Sequence, residues 1–223
     1  MRAGLFLDFV DPWINWDWLS THIPLVLDAL TQHVELTVIA LALGLAISIP
    51  LGVLAHRNAP LRVAVLGFFG AFYTIPSLAL FALLIPFTHL SETTAVIPLI
   101  GYNVLILVRN VLVGLDGVPR DVLDAADGMG YRPQVRLIRV ELPLALPSIF
   151  AGLRVATVST IGIITITALI GLGGLGGLID KGQVENFHTP LVVGTVLTVA
   201  FALVADLLIA GAQRVAIPWA RAA

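Results

Sequence analysis

The residues able to carry chemistry in this sequence are few, and the charged ones among them lie where charge is costly. Glu35, Arg109, Arg154 and Asp206 interrupt long apolar stretches. A charge at the centre of a membrane-spanning helix costs about 2.5 to 3.5 kcal/mol on insertion scales, so each needs a partner, an aqueous path or a place near the membrane surface. Asp206 or Glu35 could bind and release protons, which is the chemistry of an ion-coupled carrier. Pairing of these acids with arginine, and snorkelling of Arg109 and Arg154 to the interface, is the simpler account. Uncharged polar groups form a second set. Tyr73, Pro76, Ser77, Tyr102, Asn103, Thr157 and Thr160 are candidates to line a pathway through the membrane, with Ser159, Thr165 and Thr167 nearby. Backbone unwound around Pro76 survives at membrane depth only where it lines a cavity or is buried in protein. Thr157 and Thr160, three apart, share a helix face. For any single Ser or Thr, ordinary interhelical hydrogen bonding competes with this role.

Enzyme chemistry finds little support. Gly171, Gly173 and Gly176 have the spacing of a dinucleotide fingerprint, but that motif needs a preceding strand in a soluble βαβ unit, and here the glycines follow an apolar span. They are read instead as a flexible turn. No phosphate-binding Gly-x-x-x-x-Gly-Lys-Ser/Thr loop occurs, and no His pair at metal-ligand spacing. No paired acids, Ser–Lys pair or His cluster suggests an intramembrane enzyme. Cys is absent, which excludes disulfides and thiolate metal sites. The aromatics Phe68, Phe69, Phe72, Tyr73 and Phe81 suit packing or lipid contact better than a cation cage.

The elements that must position these residues are membrane helices. Of 223 residues, 58% are hydrophobic and 12% charged, with a mean hydropathy of +1.00. Soluble domains carry about 25% charge. A net charge of -2 gives no hint of nucleic acid. Spanning takes about 20 apolar residues, and five stretches qualify: 34–55, 63–87, 93–115, 144–170 and 191–212. The second carries Pro76 and is open to a break, which leaves a six-span count possible. Of the 12 Lys and Arg residues, only Arg2 and Lys181 fall on one side of this arrangement. That bias places the N-terminus outside and the 116–143 segment in the cytoplasm. The expected organisation is an external or interfacial segment over 1–33, a membrane domain over 34–215, and a cytoplasmic tail over 216–223. Residues 1–10 lack the apolar core of a signal peptide, whereas Trp13, Trp16 and Trp18 suit the headgroup zone.

The 116–143 segment is charged and unlike the rest. Pro119 followed by Arg120–Ala126 predicts a short helix ended at Gly128 or Gly130. A second amphipathic stretch over 135–142 is expected to stop at Pro143, before the next span. Within this segment, Asp124, Ala125 and Ala126, then Gly130, then Val140, Leu142 and Pro143 resemble the cytoplasmic signature of binding-protein-dependent ABC importer permeases. That signature is Glu-Ala-Ala, three residues, Gly, nine residues, Ile-x-Leu-Pro. All spacings match; Asp124 replaces Glu and Val140 replaces Ile. Further similarity over about residues 72–219, notably 72–86, 107–115, 141–158 and 168–176, is to the subgroup importing osmoprotectants such as glycine betaine, carnitine and choline.

The resemblance implies an all-α fold like that of the methionine-importer permease, in a bacterial inner membrane. It implies a non-catalytic chain without a cofactor of its own, with ATP and Mg bound by a dimer of ATP-binding subunits. A second permease chain, the same or related, and an external substrate-binding protein complete the assembly. Asp121, Asp124, Ala125, Ala126, Gly130, Val140, Leu142 and Pro143 would then couple the ATPase to the membrane helices. Small Ala125 and Ala126 would allow close approach, and Gly130 a turn open to few other residues. The alternative is an ion-coupled carrier using Asp206 or Glu35.

Overall fold

The computed structural model describes residues 13–221, and all regular structure among them is helical. The readings of residues 1–10, Arg2 included, lie outside the described residues, as does the end of the 216–223 tail.

A short helix α1 (Trp16–Thr21) is capped by Asn15, whose side chain accepts from the Trp18 amide at 2.9 Å. The first long helix, α2 (Ile23–Arg57), begins well before the expected residue 34. Pro24 occupies its first turn, where no amide partner is needed. No glycine or proline follows until Gly44, so the polar residues Asp28, Thr31 and Gln32 are carried in the helix. Asn58 both ends α2 and caps α3 (Ala59–Thr74) by accepting from the Leu61 amide at 3.0 Å.

Helix α3 stops at Ile75, because a residue before proline is pushed out of the helical region; Ile75 has φ −71° and ψ 127°. After Pro76 the chain re-enters helix as α4 (Ser77–Thr88), bent by 96° from α3. The expected break at Pro76 is therefore a near right angle.

Helix α5 (Glu92–Asp116) is the hub, buried along most of its length between α2 and α8. Glycine makes these approaches possible: a Cβ on Gly114 would lie 2.7 Å from the Ala145 carbonyl oxygen, and one on Gly152 2.5 Å from Asn110. Small residues at such crossings replace the hydrophobic drive that lipid removes.

After α6 (Arg120–Gly128) and the single turn α7 (Pro133–Arg136), a π-helical turn over Leu137–Glu141 leads into α8 (Leu142–Ile164). The expected stop at Pro143 does not occur. Helical structure runs from 133 to 170, ending in a 3-10 stretch over Thr165–Ile170. A proline ring clashes with the carbonyl four residues back in an α-helix. Here the wider π turn, closed by the Leu142 amide on the Leu137 carbonyl, lies just before it and relieves the conflict. Helix α9 (Leu175–Val184) turns back into α10 (His188–Ala216), which packs on α8 and α9 and leaves Leu203, Leu207 and Leu208 exposed.

Among the described residues, four helical runs are long and apolar enough to cross a membrane: Ile23–Arg57, Glu92–Asp116, Pro133–Ile170 and His188–Ala216. The bent pair α3–α4 makes a fifth if counted as one span. This is the all-helical membrane architecture read from the sequence.

Candidate coupling loop and membrane interior

Helix α6 opens on Pro119 with Asp121 in its first turn, where a carboxylate meets the positive end of the helix dipole. It closes on a left-handed glycine. Gly130 has φ +77°, its amide donates to the Asp127 carbonyl at 2.9 Å, and the Tyr131 amide donates to the Ala126 carbonyl at 3.1 Å. Those paired bonds form the Schellman end of a helix, which needs φ > 0 and so favours glycine. The glycine of the sequence signature is thus the residue that turns the chain. Ala126 is buried, whereas Asp121, Asp124 and Ala125, spaced as helical neighbours, stand exposed with Met129 beyond them. Val140, Leu142 and Pro143 are half-buried where the loop joins α8.

Charged contacts that the sequence did not single out brace this loop. Arg136 binds Asp127 of α6 and, through Nε at 2.9 Å, the buried carboxylate of Glu141. Arg57 donates to the Pro133 carbonyl at 3.2 Å. Asp116 accepts from Arg62 at 2.8 Å and contacts His56 at 2.9 Å. Residues five apart lie on different faces of an α-helix; the π turn brings Arg136 and Glu141 together. No helical periodicity in the sequence signals that turn.

The pathway candidates separate into two groups. At the α3–α4 break, Tyr73 and Pro76 are exposed and Ser77 is half-buried. The buried Tyr102 donates to the Ile75 carbonyl at 2.6 Å, and its ring meets Phe72 and Tyr73 at 5.6 and 5.4 Å. The carbonyl freed at the break is therefore engaged, not open. Deeper in the packing, Asn103 accepts from Thr160 at 2.9 Å and donates to the Ala40 carbonyl at 3.4 Å, joining α2, α5 and α8. Thr157 donates to the Leu153 carbonyl at 2.8 Å. Asn103, Thr157 and Thr160 are all buried within the chain.

Asp206 and Arg154 form a bidentate pair between α10 and α8, at 2.6 and 2.7 Å. The pair borders a groove of about 530 Å³ lined also by Ala151, Val155, Val158 and Ser159. Glu35 and Arg109 are exposed on α2 and α5.

At the opposite end, Gly171, Gly173 and Gly174 adopt φ of +77°, +71° and +70°. The turn is pinned, in contrast to the flexible turn expected. Gln32 donates to the Leu172 carbonyl at 2.9 Å and accepts from the Gly174 amide at 2.8 Å. Buried His33 accepts from the Leu175 amide through Nδ1 at 3.3 Å, so its Nε2 carries the proton that faces the Ile161 carbonyl at 3.1 Å. Near this end, Asn15 donates from its amide to Thr189 at 2.7 Å, and Trp18 stands edge-on to Phe187 at 5.4 Å.

The family described as "Binding-protein-dependent transport system inner membrane component" matches residues 44–214. The chain is 36% identical over 127 residues to the glycine betaine/carnitine/choline transport system permease protein OpuCB of Bacillus subtilis. That match covers 57% of this chain and 58% of the relative, less than two thirds of its length. To the osmoprotectant import permease protein OsmY of Salmonella typhimurium it is 35% identical over 181 residues, 80% of this chain and 77% of that one. In fold it is similar to the MetNI methionine ABC transporter in an inward-facing conformation, with a TM-score of 0.80 at 23% identity, covering 88% of this chain and 98% of that one.

Proposed function

The chain belongs to the family of binding-protein-dependent transport system inner membrane components, and from that premise we propose that it is the permease subunit of an ATP-driven importer of osmoprotectants. The cargo class is that of glycine betaine, choline and carnitine, for which relatives at 33% to 36% identity are named. The chain is non-catalytic: ATP and Mg are held by a pair of partner subunits, whose closure moves the 116–143 loop. The loop faces the cytoplasm, and a receptor protein delivers cargo at the opposite end. A second permease chain, the same or related, completes the pathway, since about five spans are too few to enclose a gated route alone.

The observation that carries this reading is the loop itself. Asp121, Asp124 and Ala125 form an exposed face on α6, while Arg136 ties that helix, through Asp127, to Glu141 at the entry to α8. Such a projection suits docking into a groove of a soluble motor and passing its motion to the spans. The ion-coupled alternative gains nothing from the Arg154–Asp206 pair, because both carboxylate oxygens are already bound by the guanidinium. The test is uptake of labelled glycine betaine into proteoliposomes holding this chain, its ATP-binding subunit and its receptor protein. ATP-dependent uptake competed by choline or carnitine is expected. Uptake by the chain alone, driven by an ion gradient, would establish the alternative.

A further inference from the structure

The Arg154–Asp206 pair takes no part in the coupling loop or the buried polar core, yet it lies within two helices long and apolar enough to cross a membrane. At about 1.5 Å per residue, Arg154 is roughly 18 Å beyond the start of α8 and Asp206 roughly 15 Å before the end of α10. Counted instead from the loop-side ends of the apolar stretches, at 144 and 212, the pair lies roughly 9 to 15 Å inside a hydrocarbon core about 30 Å thick. It is also on the flank of the chain, with the two side chains 41% and 26% exposed. Lipid cannot solvate such a pair, and charged groups at this depth face a bundle interior or a water-filled cavity. Arg154 spends only Nε and Nη2 on Asp206, and its Nη1 edge makes no hydrogen bond among the described residues. The surface beside it is concave, carries the Ser159 hydroxyl and is otherwise Ala151, Val155 and Val158.

Building on the transport reading above, we infer that this groove faces the aqueous route through the membrane and is a transient binding site for a small zwitterion with a methylated ammonium. The complementarity is chemical. A cargo carboxylate meets the unused Nη1 edge of Arg154, because a guanidinium can hold a second carboxylate on its free N–H groups. A methylated ammonium has no N–H to donate, so it asks for a negative charge and apolar surface; Asp206 and the two valines offer both within the same groove. The volume is within the ~300–1,000 Å³ range of small-molecule sites, and the open wall makes release easy, as a way-station requires.

The absence of cysteine makes the test direct. Ser159→Cys, and separately Val158→Cys on the same wall, are assembled with the ATP-binding subunit in membrane vesicles. They are then exposed to a membrane-impermeant methanethiosulfonate reagent bearing a trimethylammonium. The expected result is aqueous modification at both positions. Glycine betaine at ten times its half-protecting concentration should slow modification about tenfold by mass action, and Arg154→Gln should abolish protection while access persists. Modification only by a lipid-soluble maleimide would put the groove against lipid. Disulfide crosslinking between two permease chains without aqueous reaction would put it in a dry interface. Either outcome overturns the inference, and aqueous reaction without protection overturns the zwitterion site. ATP-driven glycine betaine uptake by the unsubstituted chain is measured in parallel. Its absence contradicts the importer reading; its presence with inaccessible or unprotected cysteines contradicts the groove alone.

Discussion

Asn103 shows how a polar residue at membrane depth divides between packing and transport. Its amide joins three helices through Thr160 and the Ala40 carbonyl. Interhelical hydrogen bonds within membranes are worth about 0.6 to 2 kcal/mol. Asn103→Ala is therefore expected to cost about 1 kcal/mol, lowering the unfolding temperature of the solubilised transporter while uptake falls no more than stability does. Abolished uptake at unchanged unfolding temperature would instead make Asn103 a cargo contact. The sequence marks Asn103, Thr157 and Thr160 as unusual because polar groups in apolar spans are few. It does not say which neighbours they meet, since facing partners come from helices far apart in the chain. Arg154 and Asp206 illustrate the same limit: pairing was foreseeable from cost alone, but their groove arises only from how α8 and α10 cross.

Helix boundaries were legible wherever proline and glycine set them locally. Pro76 announces the α3–α4 break, and Gly130 announces the end of α6. Pro143 misleads because it falls in the first turn of α8, just after a π turn that leaves room for its ring, so the helix continues. The same π turn creates the Arg136 strut between Asp127 and Glu141. If motion of α6 reaches α8 through this strut, Arg136→Ala should leave ATP hydrolysis within about twofold of normal while cutting uptake about tenfold, close to 1.4 kcal/mol in coupling. Arg136→Lys should recover part of the uptake, a point charge standing in for the fork. Equal loss of hydrolysis and uptake would mean that the arginine only holds the loop folded.

For the whole molecule, composition and span count were enough to read an all-helical membrane domain with about five crossings, and the loop signature was enough to read the family. The early start of α2 was hidden because Asp28, Thr31 and Gln32 look like the end of a span, although helix can continue past the hydrocarbon. Sidedness rests on the arginine distribution and has a direct check. Gln134→Cys should react with an impermeant thiol reagent only in inside-out vesicles, and Glu185→Cys only in right-side-out ones; the reverse pattern would invert the assigned topology. We propose that a separate ATPase docked on α6 drives this chain. Tagged chain purified from its native membrane is expected to bring an ATP-hydrolysing subunit with it, and Asp124→Lys is expected to release that subunit. Recovery of the chain alone, without ATPase activity, or retention of the subunit after the charge reversal, would contradict it.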